Sequence, residues 1–461
     1  MVENDDLSRH SFKTYLSFGT YNLLWTIPSA TMNLFMFFYY DIVIGVEPWE
    51  ILVVTIINTL WAGLNDPFIG WLTDRNFKWT RKWGRRFPWI LIGFFPLCLS
   101  LVMIFSSPTL DPANHVPVML WLLLSLFIYD LSITLVDIHV AILRSDKFRT
   151  QAEREKYAGF WGFFDMLAQS LGMILPPLFL FFGKLAPLSY LVMALIMASI
   201  AMIFGIIFVI WGAREDKIII DRYYSKDYEP LHVLKGVWMV LKQKSFLAIF
   251  IHYVLWLSAT TMMTGMVVYL TTFVLQGSDM TILLALFLVG SLVSIPFWLR
   301  ILKKMKNSKK TYIIGSLVLC ILIIALSLFQ TDIDFMILMF LMGFGNGCIW
   351  TIGMPVIYAD AQDDFVVRTG KNQKGILVGT WAVIGLVTAF IDEALITLVF
   401  GLTGFNESIP NYWNNELAIR LLVGLVPALV ILVGTIIFWR LYPLTQEKVQ
   451  ENKAKLIELG F

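Results

Sequence analysis

The chain has 461 residues, of which 58% are hydrophobic and only 15% are charged. Soluble globular proteins carry roughly 25% charged residues, so the composition excludes a soluble domain and indicates an integral membrane protein. The net charge of +2 gives no sign of nucleic-acid binding. The three cysteines lie in apolar runs without metal-ligand or disulfide spacing, and we interpret them as small core residues.

Twelve apolar runs follow one another along the chain. Each is close to or above the roughly 20 residues that a membrane-spanning helix needs. The pattern therefore predicts an all-α membrane protein with twelve transmembrane helices. The runs cover residues 15–42, 50–73, 88–107, 117–143, 157–183, 188–212, 246–275, 280–302, 311–329, 334–358, 375–403 and 418–442.

The basic residues predict the orientation of these helices. All but two of the 35 Lys and Arg residues lie in the two terminal segments or in alternate loops, the exceptions being Lys184 and Arg420. Short cytoplasmic loops collect Lys and Arg. We therefore expect both termini to be cytoplasmic.

The longest internal polar stretch divides the twelve runs into two sets of six. The sequence predicts an N-terminal half, a cytoplasmic linker, a C-terminal half and a cytoplasmic tail, at residues 1–212, 213–245, 246–442 and 443–461. Six helices plus six around a central linker is the plan of major facilitator transporters, which bind their cargo near the midplane of the membrane.

Three acids share one depth in the N-terminal half. Asp66, Asp137 and Asp165 each lie seven or eight residues from the predicted cytoplasmic end of their helix, hence roughly 10 to 12 Å from that boundary. Intramembrane carboxylates are costly and usually functional, and Pro67 frees the backbone carbonyl of Gly63. We predict a site for a small cation, Na+ or H+; for Asp165, pairing with a basic residue of the neighbouring loop is the alternative.

Further polar and aromatic residues mark a candidate cargo pathway. Asp130, Thr134 and Asp137 form one stripe on the fourth helix, although Asp130 has the alternative of a hydrogen bond within the bundle. Tryptophans in mid-span positions offer planes on which sugar rings stack, with ordinary packing as the alternative: Trp25, Trp256, Trp350 and Trp381.

The basic loop after the second helix predicts a cytoplasmic gate. The motif Gly70-x-x-x-Asp74-Arg75 precedes a Gly84-Arg85-Arg86 sequence, as in the loop between helices 2 and 3 of major facilitator transporters. The alternative is an ordinary basic cytoplasmic loop. We expect ion pairs to latch this side, through Asp74, Arg75, Arg85, Arg86 and, in the other half, Arg368.

Two further polar features have structural interpretations. Asp392 and Glu393 are adjacent and point about 100° apart on a helix, and we expect one of them to pair with Arg420. His252 is interpreted as a core histidine whose hydrogen bonds are satisfied, with a proton relay as the alternative.

Taken together, the motifs resemble one family along nearly the whole chain. This is the glycoside-pentoside-hexuronide:cation symporter family, the melibiose permease group of the major facilitator superfamily. The resemblance is carried by Phe38-x-Tyr40-Asp41-Ile-Val, Asn65-Asp66-Pro67-x-x-Gly70, Trp83-Gly84-Arg85-Arg86-x-Pro88-Trp89, Asp137-Ile138, Glu153-Arg154-Glu155, Ala359-Asp360, Asp363-Asp364, Arg368-Thr369-Gly370-Lys371 and Gly375.

The resemblance implies a cation-coupled symporter that works by alternating access. Asn65 and Asp66 match the family's cation-binding pair on helix 2, and Thr134 and Asp137 match the pair on helix 4. The family's Asp137 position is also expected to contact sugar hydroxyls, which would couple the two ligands.

The sequence also departs from the family pattern. The second acid of helix 2 is replaced by Ala62, and helix 1 offers Asn22 and Trp25 where an acid is expected to hold the sugar. The helix 5 arginine falls at Gly162 and the helix 11 lysine near Leu386. The cation machinery therefore resembles the family more closely than the sugar site does.

The sequence thus predicts a monomeric secondary transporter of the cell membrane, not an enzyme, that needs no cofactor besides its coupling ion. The predicted function is symport of a sugar or glycoside with Na+ or H+. The alternatives are a carrier of a lysolipid or other amphiphile and a membrane sensor that does not transport. A membrane-embedded enzyme is less consistent with five singly scattered histidines.

Overall fold

The computed structural model of the chain describes residues 10–73, 77–109, 111, 114–148, 151–217, 220, 242–369, 383–406 and 413–458. All regular elements within these ranges are helices. The chain divides into two compact units, Met1–Pro230 and Leu231–Phe461, which we call the N-terminal and C-terminal units. The finer boundaries of the predicted halves, linker and tail remain predictions.

The N-terminal unit contains seven described helices. Helix α1 continues into a π-helical turn at Tyr39–Ile44, and α1 packs along α6 and α7. Helix α5 packs against both α2 and α4. The helices are α1 (Phe12–Phe38), α2 (Pro48–Thr73), α3 (Thr80–Trp83), α4 (Phe87–Ile104), α5 (Val116–Lys147), α6 (Gln151–Leu178) and α7 (Pro187–Trp211).

The C-terminal unit contains nine described helices. Helix α8 packs against α13 and α15, and α11 packs between α9 and α10. Three π-helical segments extend the regular helices at Leu270–Val274, Ile349–Tyr358 and Leu421–Leu425. The helices are α8 (Lys244–Tyr269), α9 (Met280–Met305), α10 (Ser308–Leu326), α11 (Asp332–Cys348), α12 (Ala359–Thr369), α13 (Val383–Thr403), α14 (Trp413–Arg420), α15 (Val426–Leu441) and α16 (Gln446–Glu458).

Local sequence explains where several helices begin. Proline occupies the first turn of α4, α5, α7 and α15, where its missing N–H costs nothing. Helix α11 begins with a capping box, in which the Thr331 hydroxyl accepts from the N–H of Asp334 and the Asp334 carboxylate accepts from the N–H of Thr331. This cap satisfies two backbone donors at the helix start.

The chain is a multi-pass membrane protein. In the part of the chain that the structure describes, nine helical segments have the length and apolarity to cross a bilayer. Helices α2, α6 and α13 occupy the remaining three predicted runs, although 375–382 of the eleventh run lie outside the described residues. Twelve spans and cytoplasmic termini therefore remain predictions.

Small residues let membrane helices approach closely, as is typical of helix packing in lipid. Glycines at the crossing of α9 and α11 face backbone carbonyls of the opposite helix: a Cβ on Gly290 would collide with the Phe340 carbonyl, and one on Gly343 with the Phe287 carbonyl. In the N-terminal unit, Gly93 lies in the same way against the Ser132 carbonyl, which fixes α4 on α5 beside the candidate site.

Candidate functional site

A hydrogen bond joins the two helices of the predicted cation site. The Asn65 amide on α2 donates to the Thr134 hydroxyl on α5 at 3.1 Å. Both side chains are buried, at 3% and 5% exposure, and α2 packs on α5. The structure therefore brings together two of the predicted cation-binding residues.

Asp137 follows Thr134 by almost one turn of α5. Its side chain is exposed, while one of its carboxylate oxygens accepts a 2.7 Å hydrogen bond from the Tyr21 hydroxyl of α1. Tyr21 is fully buried. One carboxylate oxygen is thus held by Tyr21, while the residue as a whole is exposed.

The other two predicted cation ligands are Asp66 and Asp165. Asp66 follows Asn65 in α2, but its side chain lies outside the described part of the structure. Asp165 lies half-buried on α6 and makes no hydrogen bond to a residue that the structure describes. Both assignments therefore remain predictions.

Two residues near Asp137 were not identified from the sequence. Tyr21 has no signal beyond a phenol in an apolar helix. Arg144 lies two turns from Asp137 on α5, and its guanidinium lies over the rings of Tyr157 at 6.0 Å and Trp161 at 5.6 Å. The aromatic faces stabilise this cation at the end of the polar stripe.

The predicted cargo residues of the N-terminal unit differ in accessibility. Asn22 is fully buried, and its amide donates to the Trp161 carbonyl at 3.0 Å. Trp25, one turn away, is 36% exposed, and Asp130 is half-buried. Asn22 therefore joins α1 to α6, while Trp25 is the more accessible candidate for cargo contact.

In the C-terminal unit, two of the predicted tryptophans touch. The rings of Trp256 and Trp350 meet edge to face, with centroids 5.5 Å apart. Trp256 is buried and donates its indole N–H to the Asn346 side chain at 2.9 Å, whereas Trp350 is 41% exposed. Trp256 thus supports the accessible Trp350. Trp381 lies outside the described residues.

His252 agrees with the core interpretation. Its ring nitrogens lie 2.8 Å from the Tyr312 hydroxyl and 3.3 Å from that of Ser316, and the residue is 1% exposed. A histidine with both nitrogens bound to hydroxyl groups is satisfied without a cargo or a proton partner.

The predicted partner of Arg420 is wrong. Arg420 pairs with Glu416 one turn earlier at 2.7 Å and donates to the Phe329 carbonyl at 2.8 Å. Asp392 instead accepts hydrogen bonds from the hydroxyl groups of Ser258 and Thr261 on α8. The i,i+4 spacing within α14 places Glu416 within reach of Arg420 without any tertiary contact.

The gate arginines of the N-terminal unit are held by an acid that the sequence did not identify. The carboxylate of Glu215 accepts from the backbone N–H of Arg85 at 2.8 Å and from that of Arg86. Gly84 has a φ of 89°, and a Cβ there would collide with Glu215. The loop is therefore fixed through its backbone. Asp74 and Arg75 lie outside the described residues.

A neighbouring contact strengthens the same region. The ammonium group of Lys147, at the end of α5, donates to the Gly212 carbonyl at 2.7 Å. Burial lowers the pKa of Lys147, while the nearby carboxylates of Asp216 and Glu215 act in the opposite direction. Glu215 therefore lies near both the 84–86 loop and Lys147 at the end of α5.

The C-terminal unit has its own buried carboxylate, Asp364. Asp364 on α12 accepts from the side chains of Gln243 at 2.9 Å and Ser245 at 2.7 Å, and from Asn452 on α16 at 3.2 Å. Arg368 lies 3.0 Å from the same carboxylate. The predicted gate residue Arg368 therefore pairs within its own helix.

Comparison with known proteins agrees with this architecture. A family model described as MFS/sugar transport protein matches residues 17–446. Among solved structures, the nucleoside transporter NupG superimposes with a TM-score of 0.62, covering 94% of this chain and 99% of that chain at 13% identity. This likeness shows the fold alone. The narrower melibiose permease group remains a prediction.

Three relatives of similar length are themselves described as transporters or symporters. The sodium-dependent lysophosphatidylcholine symporter 1 of Gallus gallus is 22% identical, over 93% of this chain and 86% of the relative. The sphingosine-1-phosphate transporter MFSD2B of Xenopus tropicalis is 22% identical, over 89% and 84%. The inner membrane symporter YicJ of Escherichia coli K12 is 23% identical, over 97% and 95%.

Proposed function

Since the chain belongs to the MFS/sugar transport family, and so is a secondary transporter of the major facilitator superfamily, we propose that it couples Na+ entry to the movement of a lysophospholipid or a similar amphiphile. The observation that carries the coupling is the Asn65–Thr134 hydrogen bond, one turn of α5 from Asp137. The lysolipid relatives favour the amphiphile over the sugar that we expected from the sequence.

The oxygen atoms of Asn65, Thr134 and Asp137 suit Na+. An amide oxygen, a hydroxyl oxygen and a carboxylate are hard oxygen ligands, which suit hard cations of this kind. Asn65 and Thr134 already lie within hydrogen-bond distance, so they need little rearrangement to share an ion with Asp137. Asp66, next to Asn65, is the second carboxylate of the proposal.

The C-terminal unit contains a small apolar cavity. A small cavity between α8, α9 and α11 is lined almost entirely by apolar side chains, with Met263, Met339, Met342, Phe287 and Phe335 among them. Methionine is flexible and polarizable, so such a lining adapts to apolar ligands of variable shape. At about 20 Å³ the cavity has room for about one water molecule and not for an acyl chain, so the amphiphile proposal is carried by the lysolipid relatives.

A glycoside is the second candidate cargo. The exposed face of Trp350, supported by Trp256, is a plane on which a sugar ring stacks. The motifs that resemble the melibiose permease group point the same way. The sequence argues against a glycoside at the positions where the family's sugar-holding acid, arginine and lysine are replaced.

The experiment that separates these cargoes is uptake by purified protein in liposomes. Labelled lysophosphatidylcholine, sphingosine-1-phosphate and a panel of glycosides are each offered with an inward Na+ gradient, an inward H+ gradient or none, and outer-leaflet lipid is removed by albumin. We expect Na+-dependent uptake of a lysolipid, which Asp66→Asn abolishes. Uptake of a glycoside alone would show that the cargo is a glycoside and not a lysolipid. No uptake of any compound would favour the sensor.

A further inference from the structure

A polar cluster in the C-terminal unit, half-buried at Asp392 and Thr261 and buried at Ser258, has no part in the proposed Na+ site. One carboxylate oxygen of Asp392 on α13 accepts from the Ser258 hydroxyl, and the other accepts from the Thr261 hydroxyl. Ser258 is 1% exposed. Asp392 lies 11 residues before the end of α13, about 16 Å along the helix, so the carboxylate lies deep in the predicted eleventh membrane span.

No described cation neutralises this acid. On its own helix, Glu393 is the next residue and points about 100° away. Of the elements packed against α13, helix α14 carries Glu416 and Arg420, which pair with each other, and the Leu421–Leu425 turn has no titratable side chain. Within the described residues, Asp392 therefore has only hydroxyl partners.

Helix α8 packs on α13 as well, and neither its histidine nor its lysine contacts Asp392. His252 is bound to Tyr312 and Ser316. Lys244 is the first residue of α8, about 21 Å along the helix from Ser258. An isolated carboxylate at such a depth is costly as an anion and neutralises readily.

The hydroxyl partners satisfy Asp392 in either protonation state. A threonine hydroxyl has one proton to donate and two lone pairs, and the Thr261 hydroxyl lies 2.9 Å from the Leu257 carbonyl as well as beside Asp392. With Asp392 ionised, Thr261 donates to it. With Asp392 protonated, the acid donates to Thr261, which then donates to the Leu257 carbonyl.

We propose that Asp392, Ser258 and Thr261 form a proton-binding site in the C-terminal unit, separate from the Na+ site of the N-terminal unit. A proton from water binds one Asp392 oxygen, and the Thr261 hydroxyl turns to its own backbone; release reverses both steps. The transporter then carries an exchangeable proton in addition to Na+, and its turnover depends on pH.

Thr388 gives this site a further polar neighbour. It lies one turn before Asp392 on α13, is 4% exposed, and its hydroxyl makes no hydrogen bond to a residue that the structure describes. An unpaired buried hydroxyl is uncommon. One turn from Asp392, it is positioned to assist a proton or a water molecule on its way to the acid.

Infrared difference spectroscopy of the purified full chain tests the proposal without cargo or Na+. The carbonyl stretch of a protonated carboxyl group is followed as pH is raised from about 4 to about 10. We expect a band that titrates in the wild type and is missing in Asp392→Asn. The proposal would be overturned if Asp392→Asn showed the same titrating band as the wild type. It would also be overturned if the wild-type band did not change between the lowest and the highest pH.

Two threonine variants keep the test decisive if Asp392→Asn does not fold. Thr261→Val removes a donor to the anion, so the midpoint of the titration should move upward by about one pH unit. Thr260→Val is the matched control, because the Thr260 hydroxyl bonds only to backbone carbonyls of its own helix, and it should leave the midpoint unchanged. Equal midpoints in wild type and Thr261→Val would contradict the site.

Discussion

The substitution Thr134→Val probes the proposed Na+ site with little change in shape. Valine keeps the branched side chain and removes only the hydroxyl oxygen. The Asn65 amide then loses an acceptor at 3.1 Å, at a place where both side chains are almost fully buried. An unpaired buried donor costs about 1 to 3 kcal/mol, and a lost ion ligand should cost binding a similar amount.

The expected effect on Na+ binding follows from these figures. About 1.4 kcal/mol corresponds to a factor of ten, so the variant should bind Na+ about 5- to 150-fold more weakly. Binding of radioactive Na+ to the purified protein measures this directly, and it needs no knowledge of the cargo. A thermal unfolding curve of each variant, recorded without Na+, shows whether the fold is retained.

Two matched variants separate the ion from the fold. Thr134→Ser restores the hydroxyl and should recover most of the Na+ affinity. Ser132→Ala removes a buried hydroxyl from the same helix, one that bonds only to the Ile128 carbonyl, and it should bind Na+ like the wild type. If Thr134→Val bound Na+ as tightly as the wild type, the placement of the ion beside Thr134 would be refuted.

Three other variants test the remaining contacts. Glu215→Ala removes the acceptor of two backbone donors and should lower the unfolding midpoint by about 5 °C in a thermal melt. Asp364→Asn weakens the bonds that hold α16, so limited proteolysis should cut within Gln446–Glu458 faster than in the wild type. Trp256→Ala should lower stability by about 3 to 5 kcal/mol in chemical unfolding, whereas Trp350→Ala should mainly alter cargo uptake.

A control variant and contradicting outcomes accompany these tests. Glu447→Ala, at an exposed position of α16, is the control for the proteolysis and the melt. A Glu215→Ala midpoint equal to that of the control would mean that the 84–86 loop is held by other contacts. If Trp256→Ala and Trp350→Ala lost uptake to the same extent and stability to the same extent, there would be no reason to treat Trp350 as a cargo contact.

The sequence predicted the helices better than their ends. The predicted run 311–329 corresponds to α10 at Ser308–Leu326, which begins earlier because the Asn307 side chain caps the helix by accepting from the N–H of Lys310. Apolarity marks the part of a helix inside the membrane, whereas capping decides where the helix begins. The polar first turns of α6, from Gln151, were missed because the predicted run follows apolarity alone.

The candidate site was predictable only in part. Asn65, Thr134 and Asp137 could be found because intramembrane polar residues are few and because they match a family motif. Tyr21 contacts Asp137 from 116 residues away, a distance over which spacing carries no information. Glu215 binds backbone N–H groups, which nearly every residue possesses, so no side-chain pattern could indicate its partner.

The most direct test of Na+-coupled amphiphile transport is cargo-driven entry of radioactive Na+ into liposomes that contain the purified protein. Lysophosphatidylcholine or a glycoside is added outside, with protein-free liposomes and Asp137→Asn as controls for leakage. The proposal predicts that the lysolipid accelerates Na+ entry in the wild type alone and that glycosides have no effect. Na+ entry that is unchanged by the lysolipid, or that is accelerated by a glycoside instead, would contradict it.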